Sequence, residues 1–431
     1  MSDPTATLRV MLDAAIAAVQ PARCLPQLLP ETTAGRTVIV GAGKAAAAMA
    51  LVVEQHSPAP VEGLVVTPDG HGADTRHIEV AYAGHPVPDE RSVSASLSVL
   101  QRVANLGEQD RVVCLLSGGG SALLCLPPES VTLARKQALT SALLKSGARI
   151  AEINCVRKHL SRIKGGRLAA ACYPASCLTF AISDVPGDDL SLVASGPTVG
   201  DASTRQEARA ILEKHRLDGF SSVLSWLDDE RSESPGPDSP QLARSEIVCA
   251  ARAGDALAAA AEAAERLGID AFLLGDDLEG EARDLAKAHA AGVRAMIAGE
   301  QRPLRPRVLL SGGETTVRVK GQGRGGRNGE YALALACFLD GQAGVHALAC
   351  DTDGKDGVGD NAGAALSPAT LQMAAALGID AWRCLEENDA FGFFAALDAL
   401  VVTGPTLTNV NDFRAILVLP EAWDSPRASH L

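Results

Sequence analysis

Hydrophobic and polar positions along this chain repeat with two periods, and the switches between them mark out its elements. Short apolar runs of strand length occur at Thr37–Val40, Gly63–Val66, Val112–Leu116, Leu178–Ile182, Ile247–Ala250, Ala271–Leu274, Val308–Leu310 and Val345–Cys350. Between them apolar residues recur at helical spacing, as with Leu8, Met11, Leu12, Ala15 and Val19 in the segment 5–20. Further helices are predicted over 92–106, 134–146, 255–267, 281–298 and 330–339, and over part of 151–171. The order strand, glycine turn, helix repeats. That order predicts mostly parallel sheets covered on both faces, with strands that need no polar side.

With 431 residues the chain exceeds one ordinary core, so two domains are expected. The run Asp228–Pro240, rich in acids, serines and prolines, reads as the linker. The expected domains are therefore 1–240 and 241–431. The last few residues read as a frayed tail.

Composition narrows the function. The chain is 47% hydrophobic and 21% charged, with a formal net charge of −13. No long basic stripe offsets that charge, which argues against nucleic acid as a partner. The start, Met1-Ser2-Asp3-Pro4, lacks the basic and apolar regions of a secretory signal, and no apolar stretch approaches bilayer length. Ten cysteines are scattered without a Cys-x-x-Cys pair, so a cytoplasmic, reduced setting is expected and no membrane.

The candidate chemistry lies where strands break. Val112–Leu116 runs into Ser117-Gly118-Gly119-Gly120-Ser121, and Val308–Leu310 into Ser311-Gly312-Gly313-Glu314. Glycine loops let backbone N–H groups approach an anion. Gly41-Ala42-Gly43-Lys44-Ala45-Ala46 fits a weak dinucleotide fingerprint, but Thr67-Pro68 stands where a ribose-binding acid belongs. Lys44 at a helix start opposes the helix dipole, a conflict that a bound anion relieves. Arg324 and Arg327 flank Gly325-Gly326 and offer planar forks for phosphate. Arg157, Ser161 and Lys164 form a polar stripe. Carboxylates cluster at Asp184, Asp188 and Asp189, and again at Asp351 and Asp353, a pattern that suits Mg²⁺. His85 and His159 lack a triad context and are kept as supporting residues.

These words together resemble a known family. They include Gly84-His85-Pro86-Val87-Pro88, Leu116-Ser117-Gly118-Gly119-Gly120-Ser121, Arg157-Lys158-His159-Leu160-Ser161, Lys164-Gly165-Gly166-Arg167, Ser183-Asp184-Val185-Pro186-Gly187-Asp188, Gly325-Gly326-Arg327-Asn328 and Thr408-Asn409-Val410-Asn411-Asp412. Nearly the whole chain resembles the glycerate 2-kinases with a C-terminal MOFRL domain, older members of which were labelled hydroxypyruvate reductases. Two positions depart from that pattern: Leu407 where Gly is usual, and Gly329 where Gln is usual.

The resemblance implies ATP-dependent phosphorylation of D-glycerate at the 2-hydroxyl, with Mg²⁺. It implies an α/β fold, with a Rossmann-like three-layer N-terminal domain, a smaller α/β C-terminal domain and a site in the cleft between them. The alternative is an NAD(P)H-dependent hydroxypyruvate reductase. Lys44, Arg327 and Asp184 are the expected catalytic residues. Gly41, Gly43, Ser117–Ser121, Ser311, Gly312, Gly313, Glu314, Arg324 and Asn409 are expected at the nucleotide, and Asp188, Asp189, Asp351 and Asp353 at the metal. Lys44 and Arg327 are expected to serve the reaction and not the fold.

Overall fold

The computed structural model describes residues 3–299 and 301–424. The chain divides into two compact units, a first of Pro21–Ala251 and a second in which the residues up to Gln20 join Arg252 onward.

The first unit is built on six parallel strands: β1 (Thr37–Ala42), β2 (Val61–Pro68), β3 (Ile78–Ala83), β4 (Arg111–Leu116), β5 (Ser176–Ile182) and β6 (Ser245–Ala251). Their order is β3-β2-β1-β4-β5-β6, the doubly wound arrangement whose strand order reverses between β1 and β4. β1 and β4 are buried along almost their whole length, which is why their sequences are unbroken apolar runs. Val38, Val40, Leu64, Val66, Val112, Cys114 and Leu116 pack with Val99 and Val103 of the helix Glu90–Val103. That helix starts at Asp89, whose carboxylate accepts the Ser92 N–H while the Ser92 hydroxyl accepts the Asp89 N–H. A separate helical cluster gathers Leu139, Leu143, Ile153, Val156, Ala208 and Leu212.

The second unit has a mixed sheet, not a mostly parallel one: β7 (Asp270–Glu281), β8 (Arg307–Thr316), β9 (Val345–Asp351), β10 (Gly363–Leu366), β11 (Leu400–Val401) and β12 (Asp412–Val418). The order is β11-β10-β9-β12-β8-β7, and only β7 with β8 is parallel. The last long strand, β12, slots between β8 and β9 and is buried throughout. Tyr331, Leu333 and Leu335 of the helix Arg327–Leu339 pack in the core of this unit with Ala347 and Ile416. Helix Pro4–Ala18 packs against helix Ala253–Arg266, with its apolar face Leu8, Met11, Leu12 and Ala15 buried.

Three expectations are corrected. The boundary does not fall near residue 240: β6 lies beyond it and completes the first sheet, because its backbone pairs with β5. The chain's first helix belongs to the second unit. Ser311-Gly312-Gly313-Glu314 is not a loop but the middle of β8, opposite a doubly bulged stretch of β7. The expected frayed tail lies outside the described residues from 425 onward.

Glycine serves strand contact in that stretch. Gly313 sits at φ 103°, and a Cβ there would stand 2.2 Å from the Leu278 carbonyl oxygen, whereas one on Gly312 would meet nothing closer than 3.4 Å. Gly313→Ala should therefore destabilise the protein by roughly 2 kcal/mol or more, and Gly312→Ala by less than about 1 kcal/mol. Denaturant melts of the two variants decide it; equal losses would mean that strand approach is not what glycine provides.

Candidate active site

Parallel strands place all their carboxyl ends on one edge of the sheet. In the first unit that edge carries the residues following β1, β2, β4 and β5 at the point where the strand order reverses, the usual crevice for ligands in such folds. The segments after β1 and β4 are stitched together. The Lys44 N–H donates to Gly118 O at 2.9 Å, the Gly43 N–H to Val66 O at 3.1 Å, and the Ala45 N–H to the Ser117 hydroxyl at 3.0 Å. Ser117 is fully buried, so its hydroxyl is used inside the protein. Gly119 and Ser121 are the partly exposed members of the loop.

Close approach explains the glycines. A Cβ on Gly41 would lie 2.1 Å from Leu115 O, and one on Gly43 2.0 Å from the Ser117 hydroxyl oxygen. Gly119 is left-handed at φ 84°, and a Cβ there would stand 2.9 Å from His85 Nε2 and 3.6 Å from Lys44 Cγ. His85 and Lys44 thus lean on the same loop, and Lys44 is half-buried. Asp184, also half-buried, follows β5 on the neighbouring side. Asp189 is exposed, and its Oδ1 accepts the Ser191 N–H at 2.9 Å, the ordinary use of an aspartate in a turn. His159 is remote from this loop in role: it is fully buried, with Nδ1 2.9 Å from Cys155 O and Nε2 3.3 Å from Glu233 Oε1.

In the second unit the centre is Arg327. Its Nε donates to Asp412 Oδ1 at 2.6 Å, Nη1 to Glu314 Oε1 at 2.7 Å and Nη2 to Asp351 Oδ2 at 2.8 Å. The three carboxylates hold its pKa well above the ordinary value although burial pulls the other way. Arg414, fully buried, donates to the other oxygen of Asp412 and to Gly312 O at 2.8 Å. Asn328 Nδ2 also donates to Asp412 Oδ1 at 2.7 Å. Three carboxylates thus face two guanidinium groups, an excess of negative charge. Glu314 and Arg327, expected as separate phosphate contacts, are here partners of one another.

Arg327 opens the helix Arg327–Leu339, and Gly326 before it has no side chain to cap it. Asp356 supplies the cap from another segment, accepting the Asn328 N–H at 2.9 Å and the Gly329 N–H at 2.8 Å. Gly329 leaves room for this: a Cβ there would press on Asp356 Oδ2 at 3.2 Å and on Ala390 at 3.3 Å. Arg324 turns away to solvent, its guanidinium carbon 4.5 Å from the centre of the Phe391 ring. Asn409 is buried, and its Oδ1 accepts the Asn411 N–H at 3.1 Å. Leu407 adopts φ 60°, so the side chain that replaces the usual glycine sits in the left-handed region. Ser311, Gly312 and Gly313 lie inside β8. Asp353 is buried and accepts the Lys355 N–H at 2.8 Å. Among the described residues no group of three His, Cys, Asp or Glu side chains is arranged to hold a metal ion. No described helix is long and apolar enough to cross a membrane.

The doubly wound first unit and the mixed-sheet second unit define a two-part α/β protein. A family model described as a domain of unknown function, DUF4147, matches residues 7–228, and the MOFRL family model matches 307–412. The chain is 40% identical over 418 residues to a Thermotoga maritima protein named D-glycerate 2-kinase, covering 96% of this chain and 98% of that one. It is 47% identical over 417 residues to an Agrobacterium vitis protein named putative hydroxypyruvate reductase, covering 95% and 94%. A crystal structure of glycerate kinase from Thermotoga maritima superimposes with a TM-score of 0.86 at 39% identity, over 96% of this chain and all of that one. The chain belongs to this glycerate kinase family.

Arg327 is part of the fold, which corrects the expectation that it serves only the reaction. Arg327→Ala would take from Asp351, Glu314 and Asp412 the cation they share, leaving Asp412 to Arg414, and stability should drop by about 3 kcal/mol or more. Arg327→Lys should recover only part, since one ammonium cannot reach three carboxylates. Melts within about 0.5 kcal/mol of wild type would refute this.

Asp356 gives a pH signature. Burial pushes its carboxyl up to about 6, against the pull of the two N–H groups it accepts. The folded state then binds more protons than the unfolded chain between about pH 4 and pH 6, so stability falls as pH rises through that window, by no more than about 3 kcal/mol. Comparing the pH dependence of unfolding for wild type and Asp356→Asn tests this; the variant should lose that slope.

Proposed function

We propose that this protein transfers the γ-phosphoryl group of ATP to the 2-hydroxyl of D-glycerate, giving 2-phosphoglycerate and ADP. The reading is carried by likeness along nearly the whole chain to proteins named glycerate kinases. The crevice at the reversal point supports it, since phosphoryl transfer asks mainly for positioned phosphates and nearby positive charge. In this reading Lys44 and the backbone of Gly119–Ser121 meet phosphate oxygens. His85 buttresses the loop.

Mg²⁺ fits the residues present in a limited way. It requires one or two protein carboxylates and takes water and phosphate oxygens for the rest. Asp184 suits that need at the first sheet's edge. In the second unit Asp351, bound to Arg327 within a cluster of excess negative charge, is the candidate. The metal would neutralise charge on the phosphates.

The reductase reading draws on the name of the Agrobacterium relative. Against it stands the end of β2, where the Thr67 hydroxyl donates to Gly43 O at 3.1 Å and the acid just beyond, Asp69, is held by both Nη atoms of Arg91.

Incubation with ATP, Mg²⁺ and D-glycerate should release ADP, while hydroxypyruvate should leave NADH absorbance unchanged. Lys44→Ala should lower kcat by about 10²- to 10³-fold with an unaltered melting temperature. NADH oxidation without ADP release would reverse the assignment, and near-normal kcat would remove Lys44 from the reaction.

A further inference from the structure

Behind the Ser117–Ser121 loop lies a group of cations without acids. Lys164 is 1% exposed. Its Nζ donates to Ser121 O at 2.9 Å and to Ala194 O at 3.4 Å, both neutral carbonyls. Lys136, also buried, donates to Leu160 O at 2.5 Å. Arg157, half-buried, is a further basic group whose charge opposes that of Lys164. Among the described residues no carboxylate pairs with Lys136, Arg157 or Lys164. The Cys125 thiol is the acidic group whose charge would favour all three. Lys136 comes from helix Leu133–Lys145, Arg157 from helix Ile150–His159, and Cys125 follows the helical turn Gly120–Leu123.

The local backbone is built around Lys164. The Gly165 and Gly166 N–H groups donate to Ser195 O and Gly196 O at 3.2 and 2.8 Å. Ala194 and Ser195 are both left-handed, at φ 53° and 61°, a conformation that costs free energy in each residue. The Ser195 hydroxyl lies 2.7 Å from the Ser121 hydroxyl. A strained turn and a buried lysine therefore hold the loop residue Ser121 from behind. An ammonium in such a place is unfavourable without a counter-charge, and among the described residues no carboxylate is bonded to it.

We propose that Lys164, buried beside Lys136 behind the Ser117–Ser121 loop, rests as a neutral amine, and that the loop takes up its phosphate anion together with a proton that settles on Lys164. In the resting protein burial, with Lys136 and Arg157 adding to it, depresses the Lys164 pKa well below its ordinary value. An anion at the loop reverses that balance. The Lys164 amine gains one N–H bond to a proton that solvent or buffer gives up, and no heavy-atom bond changes. Lys164 is a positioning residue that acts through Ser121. The inference rests on the reading of the loop as a phosphate site, and the experiment separates the two.

The measurement is calorimetric titration of the full-length protein with ADP at about pH 8.5, where its phosphates are fully ionised, in two buffers of different ionisation enthalpy. Wild type should take up a sizeable fraction of a proton for each ADP bound, and affinity should fall as pH rises, by up to about tenfold per unit. Lys164→Arg keeps a permanent charge and should bind ADP with no proton uptake. Lys164→Met should bind at least about tenfold more weakly, again without uptake. ADP binding by wild type with no buffer dependence, or uptake that persists in Lys164→Arg, overturns the inference and leaves the kinase assignment standing. Failure of ADP to bind wild type at all overturns the reading of the loop itself. If Lys164→Met does not fold, the wild-type and Lys164→Arg titrations still decide the matter.

Discussion

In the second unit one guanidinium, that of Arg327, is met by three carboxylates, and those pairings tie together the elements around it. Glu314 comes from β8, Asp351 from the end of β9 and Asp412 from the start of β12, and all three converge on Arg327 at the head of one helix. Each bond fixes a strand end relative to that helix. Arg414 completes the arrangement from within β12, reaching the second oxygen of Asp412 and the carbonyl of Gly312. Slipping one strand by a residue would part these buried ions from their partners, so the charges at the strand ends favour the observed register.

The first sheet was readable in the sequence because each central strand is buried on both faces and is written as an apolar run. Thr37–Val40, Val112–Leu116 and Leu178–Ile182 all lie within observed strands. The second sheet was harder for a physical reason. Ser311-Gly312-Gly313 looks like a strand breaker, yet those glycines let β7 and β8 approach where a side chain would collide. β12, with its buried Phe413, Ala415 and Ile416, carried an apolar signal that was open to reading, but nothing local says that it inserts between β8 and β9.

The site divides the same way. The loops after β1 and β4 were visible as glycine words at strand ends, and the fold places them side by side. The partners of Arg327 were not visible, because they come from segments tens of residues apart and no spacing rule links them. Asp356 was missed for a related reason: an N-cap normally lies just before its helix, and here the capping carboxylate follows it in sequence. Lys164 was noted as part of a polar stripe, but a stripe gives no hint that its lysine is sealed from solvent. Leu407 is the converse case, a side chain at φ 60° where the family pattern has glycine.

The helix Pro4–Ala18 belongs with residues that follow Arg252, and Val19 and Gln20 just beyond it are bonded to Thr408 and Thr406. The whole first unit is thus spliced into the second between its first helix and the rest. On the ribosome, where chains emerge at about 5–20 residues per second, that helix emerges well before its partner helix Ala253–Arg266. The first unit has all its strands in hand once Ala251 has emerged and can close while the opening helix is still waiting. An apolar face made of Leu8, Met11 and Leu12 therefore has no native cover until the whole first unit and the helix Ala253–Arg266 have been made.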